Sequence, residues 1–158
     1  MYRRILVAVD GSSPSNSALS SALEMASYSA GRSVLRLIHV LDEMSYFSGY
    51  APYGSQSGEV IQAMRKAGEK ILAEALVIVQ SAGVQADTLL VDKFGERLGE
   101  TVADEAKNWN ADLIVVGTHG RRGVGRMLLG SGAEQIIRLA PIPTLVVRSS
   151  GKEDDQDR

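Results

Sequence analysis

The sequence predicts an α/β fold: a doubly wound, five-stranded parallel sheet with helices on both faces. Three observations predict it. Five short apolar runs read as strands, and the first is apolar at both parities, as a strand buried on both sides is. The segments between them carry apolar residues three and four apart, the period of an amphipathic helix. The two kinds alternate along the chain, and such alternation builds a parallel sheet with helical crossovers.

The first run is "RILVAVD", ending at Asp10-Gly11. A helix should follow, with Ser13 as its cap, Pro14 in its first position and Gly31 at its end. Ala18, Leu19, Ala22, Leu23 and Ala26 share one face of it. "SVLRLIHVL" reads as the second strand. Residues 42–56, "DEMSYFSGYAPYGSQ", have no period and hold Tyr46, Phe47, Tyr50 and Tyr53, so they read as an irregular loop. A long helix is expected over about 57–82, with Val60, Ile61, Met64, Ala67, Ile71, Leu72 and Ala75 on one stripe and Gly83 as its stop. "VQADTLLVD" is the third strand. "GERLGETVADEAKNWN" is the third helix, burying Leu98, Val102, Ala106 and Trp109. "ADLIVVGT" is the fourth strand. A glycine-rich loop leads to a short helix at about 132–139, which Pro141 ends, and "PTLVVR" is the fifth strand.

With 158 residues, a single domain over 1–148 is expected, followed by a disordered polar tail over 149–158. A formal net charge of −2 argues against a surface devoted to nucleic acid. The chain has no cysteine and only His39 and His119, so thiolate and histidine-rich metal sites are not expected. The apolar run near the N-terminus is too short for a signal peptide, and no run approaches the roughly 18 residues of a membrane span. A cytoplasmic protein is expected.

In such a sheet, ligands sit outside the carboxyl ends of the strands, near the switch in strand order. Asp10 lies at the end of the first strand, and the loop from Gly117 lies at the end of the fourth. If those strands are neighbours, both face one crevice. The loop closes on "GSGAE", in which Ser131 and Glu134 form an S-x-x-E capping box. The helix start beyond it offers free amides to an anion. Gly130 and Gly132 keep side chains away, and Arg121, Arg122 and Arg126 add positive charge. The combination reads as a phosphate cradle. It is not a P-loop, because the lysine is missing, and no G-x-G-x-x-G follows the first strand.

The spacing Gly117-x-x-Gly120, nine residues, then Gly130-Ser131, resembles the nucleotide-binding signature of the universal stress protein family, ATP-binding type. "RILVAVDGS" is similar to the family's first strand and turn, and "ADLIVVGTHGRRGVGRMLLGSGAEQIIRLAPIPTLVVR" to its C-terminal half. The resemblance covers residues 3–148. It implies a Rossmann-like fold that binds ATP, or AMP or ADP, with Mg²⁺ as a candidate companion. It implies that Asp10 lies beside the adenosine end or helps hold the metal. Val40 would meet adenine through its backbone, and Val116 and Gly117 would flank the ribose. His119, Gly120, Gly130, Ser131 and Gly132 would approach the phosphates, largely through N–H groups. Arg121 matches a variable basic position. Many relatives carry a β-branched residue at 132, where this chain has glycine. The resemblance also implies a homodimer pairing along the fifth strand, Pro143–Arg148.

Each residue has a plainer reading. Asp10 before glycine is common turn chemistry. His39, in an apolar strand, reads as packed or hydrogen-bonded rather than functional. The arginines could line a solvated face, and the aromatic loop could be a lid, a partner surface or neither. The expected function is nucleotide-dependent regulation in a stress response, with little or no turnover. The alternatives are a slow ATPase, a dimeric interaction protein that binds no nucleotide, and an enzyme acting on adenylated substrates.

Overall fold

The computed structural model describes residues 1–41, 57–92, 97–118 and 129–149. Among these residues nine elements follow in order: β1 (Arg4–Ala8), α1 (Ser13–Ser27), β2 (Val34–Val40), α2 (Ser57–Ser81), β3 (Gln85–Val91), α3 (Leu98–Asn108), β4 (Leu113–Gly117), α4 (Ser131–Leu139) and β5 (Thr144–Val147). The strands form one parallel sheet in the order β3-β2-β1-β4-β5. The expected α/β architecture is present.

Alternation along each strand decides which layer a side chain enters. Ile5, Val7, Leu35, Leu37, Leu113 and Val115 pack with α1 and α2. Leu6, Ile38, Ile114 and Val116 pack with α3 and α4 on the other face. Among the described residues each face thus carries two helices, and Ile5, Leu6 and Val7 of β1 and Leu113 to Val116 of β4 are apolar in a row because both faces are covered. Ala18, Leu19, Ala22 and Ala26 bury the expected face of α1, joined by Ser15.

The helix ends depart from the sequence reading in small ways. Ser12, not Ser13, caps α1, which places Pro14 at the second helical position. Helix α1 closes at Tyr28, and the positive φ values come later, at Ala30 (53°) and Gly31 (75°). On α2, Ala67 faces solvent and Gly68 meets the sheet. A Cβ at Gly68 would lie 2.8 Å from both His39 and Leu90, so the helix approaches β2 and β3 only because that side chain is missing. Gly83 carries φ +73° and ends α2 as expected.

The sheet's N-terminal edge is closed by charge and one aromatic ring. The Arg36 guanidinium makes two 2.7 Å bonds to the Asp87 carboxylate and a third, also 2.7 Å, to Glu105 of α3. The bonds to Asp87, reinforced by Glu105 against the opposing effect of burial, hold its proton more tightly than usual. A raised basic pKa contributes stability below the unfolded value that is lost only at higher pH, so this ion pair persists across the working range. Arg36 and Arg4 lie 4.8 and 4.5 Å from the Trp109 ring centre. Asp112 accepts the amides of Arg3 and Arg4 at 2.8 and 3.0 Å.

Candidate functional site

The strand order puts β1 beside β4, with the chain running outward to β2 and β3 on one side and to β5 on the other. The expected switch point therefore exists, and it falls between the strands that carry Asp10 and Gly117. The β1–β4 register pairs Val7 with Val115. Continued, it sets Val9 against Gly117 and Asp10 against Thr118. The β1–β2 register pairs Ala8 with Ile38, which brings Val40 level with Asp10. Asp10, Val40 and Thr118 thus stand in one row along the C-terminal edge.

Asp10 follows the last ladder bond of β1, from the Val9 amide to the Ile38 carbonyl at 2.9 Å. Its own amide donates to the Ser15 hydroxyl at 3.0 Å. Its Oδ1 accepts the Ser12 amide at 2.9 Å, and Gly11 between them takes φ +78°. The turn chemistry that an Asp-Gly pair allows is therefore realised. The first turn of α1 is in part occupied by its own residues. The Ser12 hydroxyl accepts the Ser15 amide at 3.3 Å, and Pro14 has no N–H to offer.

The start of α4 is built differently. Gly130 is its N-cap, with φ −63° and ψ 150° and no side-chain cap. The expected capping box does not form. Ser131 is already the first helical residue, so Glu134 falls one position too deep to reach back, and it bonds Arg138 at 2.6 Å instead. The Gly130 amide, expected to meet phosphate, donates to the Thr118 carbonyl at 2.7 Å. The first intrahelical bond comes from the Glu134 amide to the Gly130 carbonyl, at 2.9 Å. The amides of Ser131, Gly132 and Ala133 precede it and have no acceptor within the helix. The donors that the helix start leaves without an intrahelical acceptor are therefore those of residues 131–133.

Two glycines read as ligand contacts have packing roles. A Cβ on Gly117 would lie 2.6 Å from the Pro14 carbonyl carbon and 2.7 Å from its oxygen, so the residue lets α1 sit against the end of β4. A Cβ on Gly132 would lie 2.7 Å from Leu98 of α3. Val116 is buried in the core, so only its backbone is left to meet a ligand. His39 is hydrogen-bonded, as expected: its Nδ1 donates to the Val9 carbonyl at 2.6 Å. His119, Gly120, Arg121, Arg122 and Arg126 lie outside the described residues, as do loop 42–56 and residues 150–158 of the tail.

Sequence reasoning missed Ser15 and Thr118. Ser15 could have been noticed as the one hydroxyl on the apolar face of α1. Thr118 is 6 % exposed and ties three elements together: its amide donates to Val147 of β5 at 2.9 Å, and its carbonyl takes Gly130. No local pattern announces such a role. Two grooves lie away from the row, one along Gln80–Asp87 and another between α3 and α4 at Arg97, Ser131 and Arg138. Also among the described residues, no group of three or more metal-ligating side chains occurs, and no helix is long and apolar enough to cross a membrane.

Residues 1–148 match the family model described as universal stress protein family. The universal stress protein YxiE of Bacillus subtilis is 34% identical over 154 residues, which are 94% of this chain and 100% of that protein. A solved universal stress protein family member from Burkholderia pseudomallei is 30% identical, with a TM-score of 0.72 over 92% of this chain and 96% of its own. A universal stress protein solved in complex with cAMP is 26% identical, with a TM-score of 0.62 over 94% and 99%.

Proposed function

Because the chain belongs to the universal stress protein family, we propose that it binds an adenine nucleotide and acts as a regulator in stress response, with little or no turnover. ATP is the expected ligand, with AMP or ADP as alternatives. One observation carries the reading. At the β1–β4 switch point, α4 begins on a glycine with no side-chain cap, while the neighbouring α1 is capped by its own serine. The open amides of Ser131, Gly132 and Ala133, at the positive end of a helix dipole, suit a phosphate. The relative in complex with cAMP supports an adenine nucleotide as the source of that phosphate.

In this reading Asp10 stands at the nucleoside end, and the backbone of Val40 meets the base. Val116 and Gly117 form the floor under the ribose. His119, Gly120 and Arg121 complete the phosphate side together with Gly130, whose role is to aim the helix start. Asp10 offers a single carboxylate for a Mg²⁺ that accompanies a triphosphate, and Mg²⁺ commonly takes few protein carboxylates alongside phosphate oxygens. Calorimetric titration with ATP, ADP, AMP and cAMP tests the reading. At least one should bind with Kd on the order of micromolar. No heat from any of them at millimolar concentration would reject it.

The reading extends to a homodimer along Pro143–Arg148. Among the described residues, strand β5 is an edge of the sheet and pairs only with β4. It carries Leu145, Val146 and Val147, an apolar edge of the kind that pairs. Light scattering at micromolar concentration should return twice the chain mass of 16.9 kDa. A monomer mass would remove the dimer and leave the nucleotide site standing.

A further inference from the structure

Three hydrogen bonds at the β1–α1 turn close into a ring. The Asp10 amide donates to the Ser15 hydroxyl at 3.0 Å. The Ser15 amide donates to the Ser12 hydroxyl at 3.3 Å. The Ser12 amide donates to Asp10 Oδ1 at 2.9 Å. Three backbone donors of the turn, the amides of Asp10, Ser12 and Ser15, are thereby used. The ring also ties the Asp10 carboxylate to the first turn of α1.

Ser15 is the anchor of this ring. It is 4 % exposed, on a helix face otherwise made of Ala18, Leu19, Ala22 and Ala26. An apolar residue would satisfy that face, so the hydroxyl needs another explanation. The first turn around it cannot drift. Pro14 fixes its own φ, and the absent side chain of Gly117 lets Pro14 rest on the end of β4. The hydroxyl is thus a fixed point, and Asp10 hangs from it.

We infer that Ser15 is a positioning residue for the nucleoside end of the site, setting Asp10 where it meets the bound adenosine. The inference rests on the nucleotide reading above. Without the hydroxyl, the Asp10 amide loses its acceptor, the ring opens and the carboxylate is no longer held in one place. The phosphate end is positioned separately, by the Gly130 amide on Thr118. The two ends should therefore respond independently.

The test uses adenosine and inorganic pyrophosphate as separate probes, with Ser15→Ala, Asp10→Ala and the double variant. Ser15→Ala should weaken adenosine about tenfold and leave pyrophosphate within about twofold. The double variant should bind adenosine no more weakly than Asp10→Ala alone, because Ser15 acts through Asp10. General loosening of the fold would weaken both probes and add to the Asp10 effect, and that result overturns the inference. So does unchanged adenosine affinity in Ser15→Ala. If Ser15→Ala fails to fold, Ser12→Ala opens the same ring from a half-buried position and must give the same split between probes. Failure of the parent chain to bind any adenine nucleotide would overturn the nucleotide reading and this inference together. Parent binding with an insensitive Ser15 and Ser12 would overturn this inference alone.

Discussion

Gly130→Asp should bind AMP and ATP at least tenfold more weakly than the parent, about 1.4 kcal/mol, without losing stability. The two effects separate because of where Gly130 sits. It is the N-cap of α4, at φ −63°, a conformation open to any residue. Aspartate is a preferred N-cap, because its carboxylate accepts the amides two and three positions on. Those amides belong to Gly132 and Ala133, the donors proposed for phosphate. The variant would hold its own anion in the place of the ligand's, and add a repelling charge. Relative to glycine, the cap contributes a few tenths of a kcal/mol, so the melting temperature should hold or rise by about 1–2 °C. Adenosine, which has no phosphate, should bind as before. Gly130→Asn occupies the same amides without the charge and should fall in between. Unchanged AMP affinity in folded Gly130→Asp would mean that these amides hold no phosphate.

The sheet was legible in the sequence because its signal is local. Ile5, Leu6 and Val7 are apolar in a row, and all three are fully buried, as a strand covered on both faces requires. The meeting of Asp10 and Gly117 was legible too, since β1 and β4, which lead to them, are neighbours at the switch point. What failed was register within a turn. Ser12 and Ser13 are equally able to cap, and the choice fell to Ser12 through bonds with Asp10 and Ser15. The S-x-x-E pattern at Ser131 met every local requirement of a capping box. The helix nevertheless starts one residue earlier, because Thr118 takes the Gly130 amide from a distance of twelve positions in the chain. The packing role of Gly117 was hidden for a similar reason. Its neighbour Pro14 is remote in sequence, and only the folded chain reveals the steric demand.

The network around Trp109 was less visible still, because its members are scattered over β1, β2, β3, α3 and the turn before β4. Yet it should yield the largest change in stability. Trp109→Ala is expected to cost roughly 3–5 kcal/mol, lowering the melting temperature by about 10 °C. Trp109 caps the C-terminal end of α3 and is 7 % exposed, packed within the core layer of Leu6, Ile114 and Ala106. Removal of the ring leaves a cavity at the base of that layer and takes away the face on which Arg4 and Arg36 rest. Those cation–π contacts add about 0.5–2 kcal/mol between them. The ion pairs of Arg36 are the smaller contribution, because the Asp87 side chain is 49% exposed and water screens the charge. Arg36→Met should therefore cost clearly less than Trp109→Ala, and Trp109→Phe less than half as much. The network lies at the N-terminal edge of the sheet, opposite the row of Asp10, Val40 and Thr118. Nucleotide affinity measured well below the melting temperature should accordingly be unchanged in all three variants. A fall of less than about 3 °C in Trp109→Ala would show that the layer closes over the lost ring and that the edge is held by its charges instead.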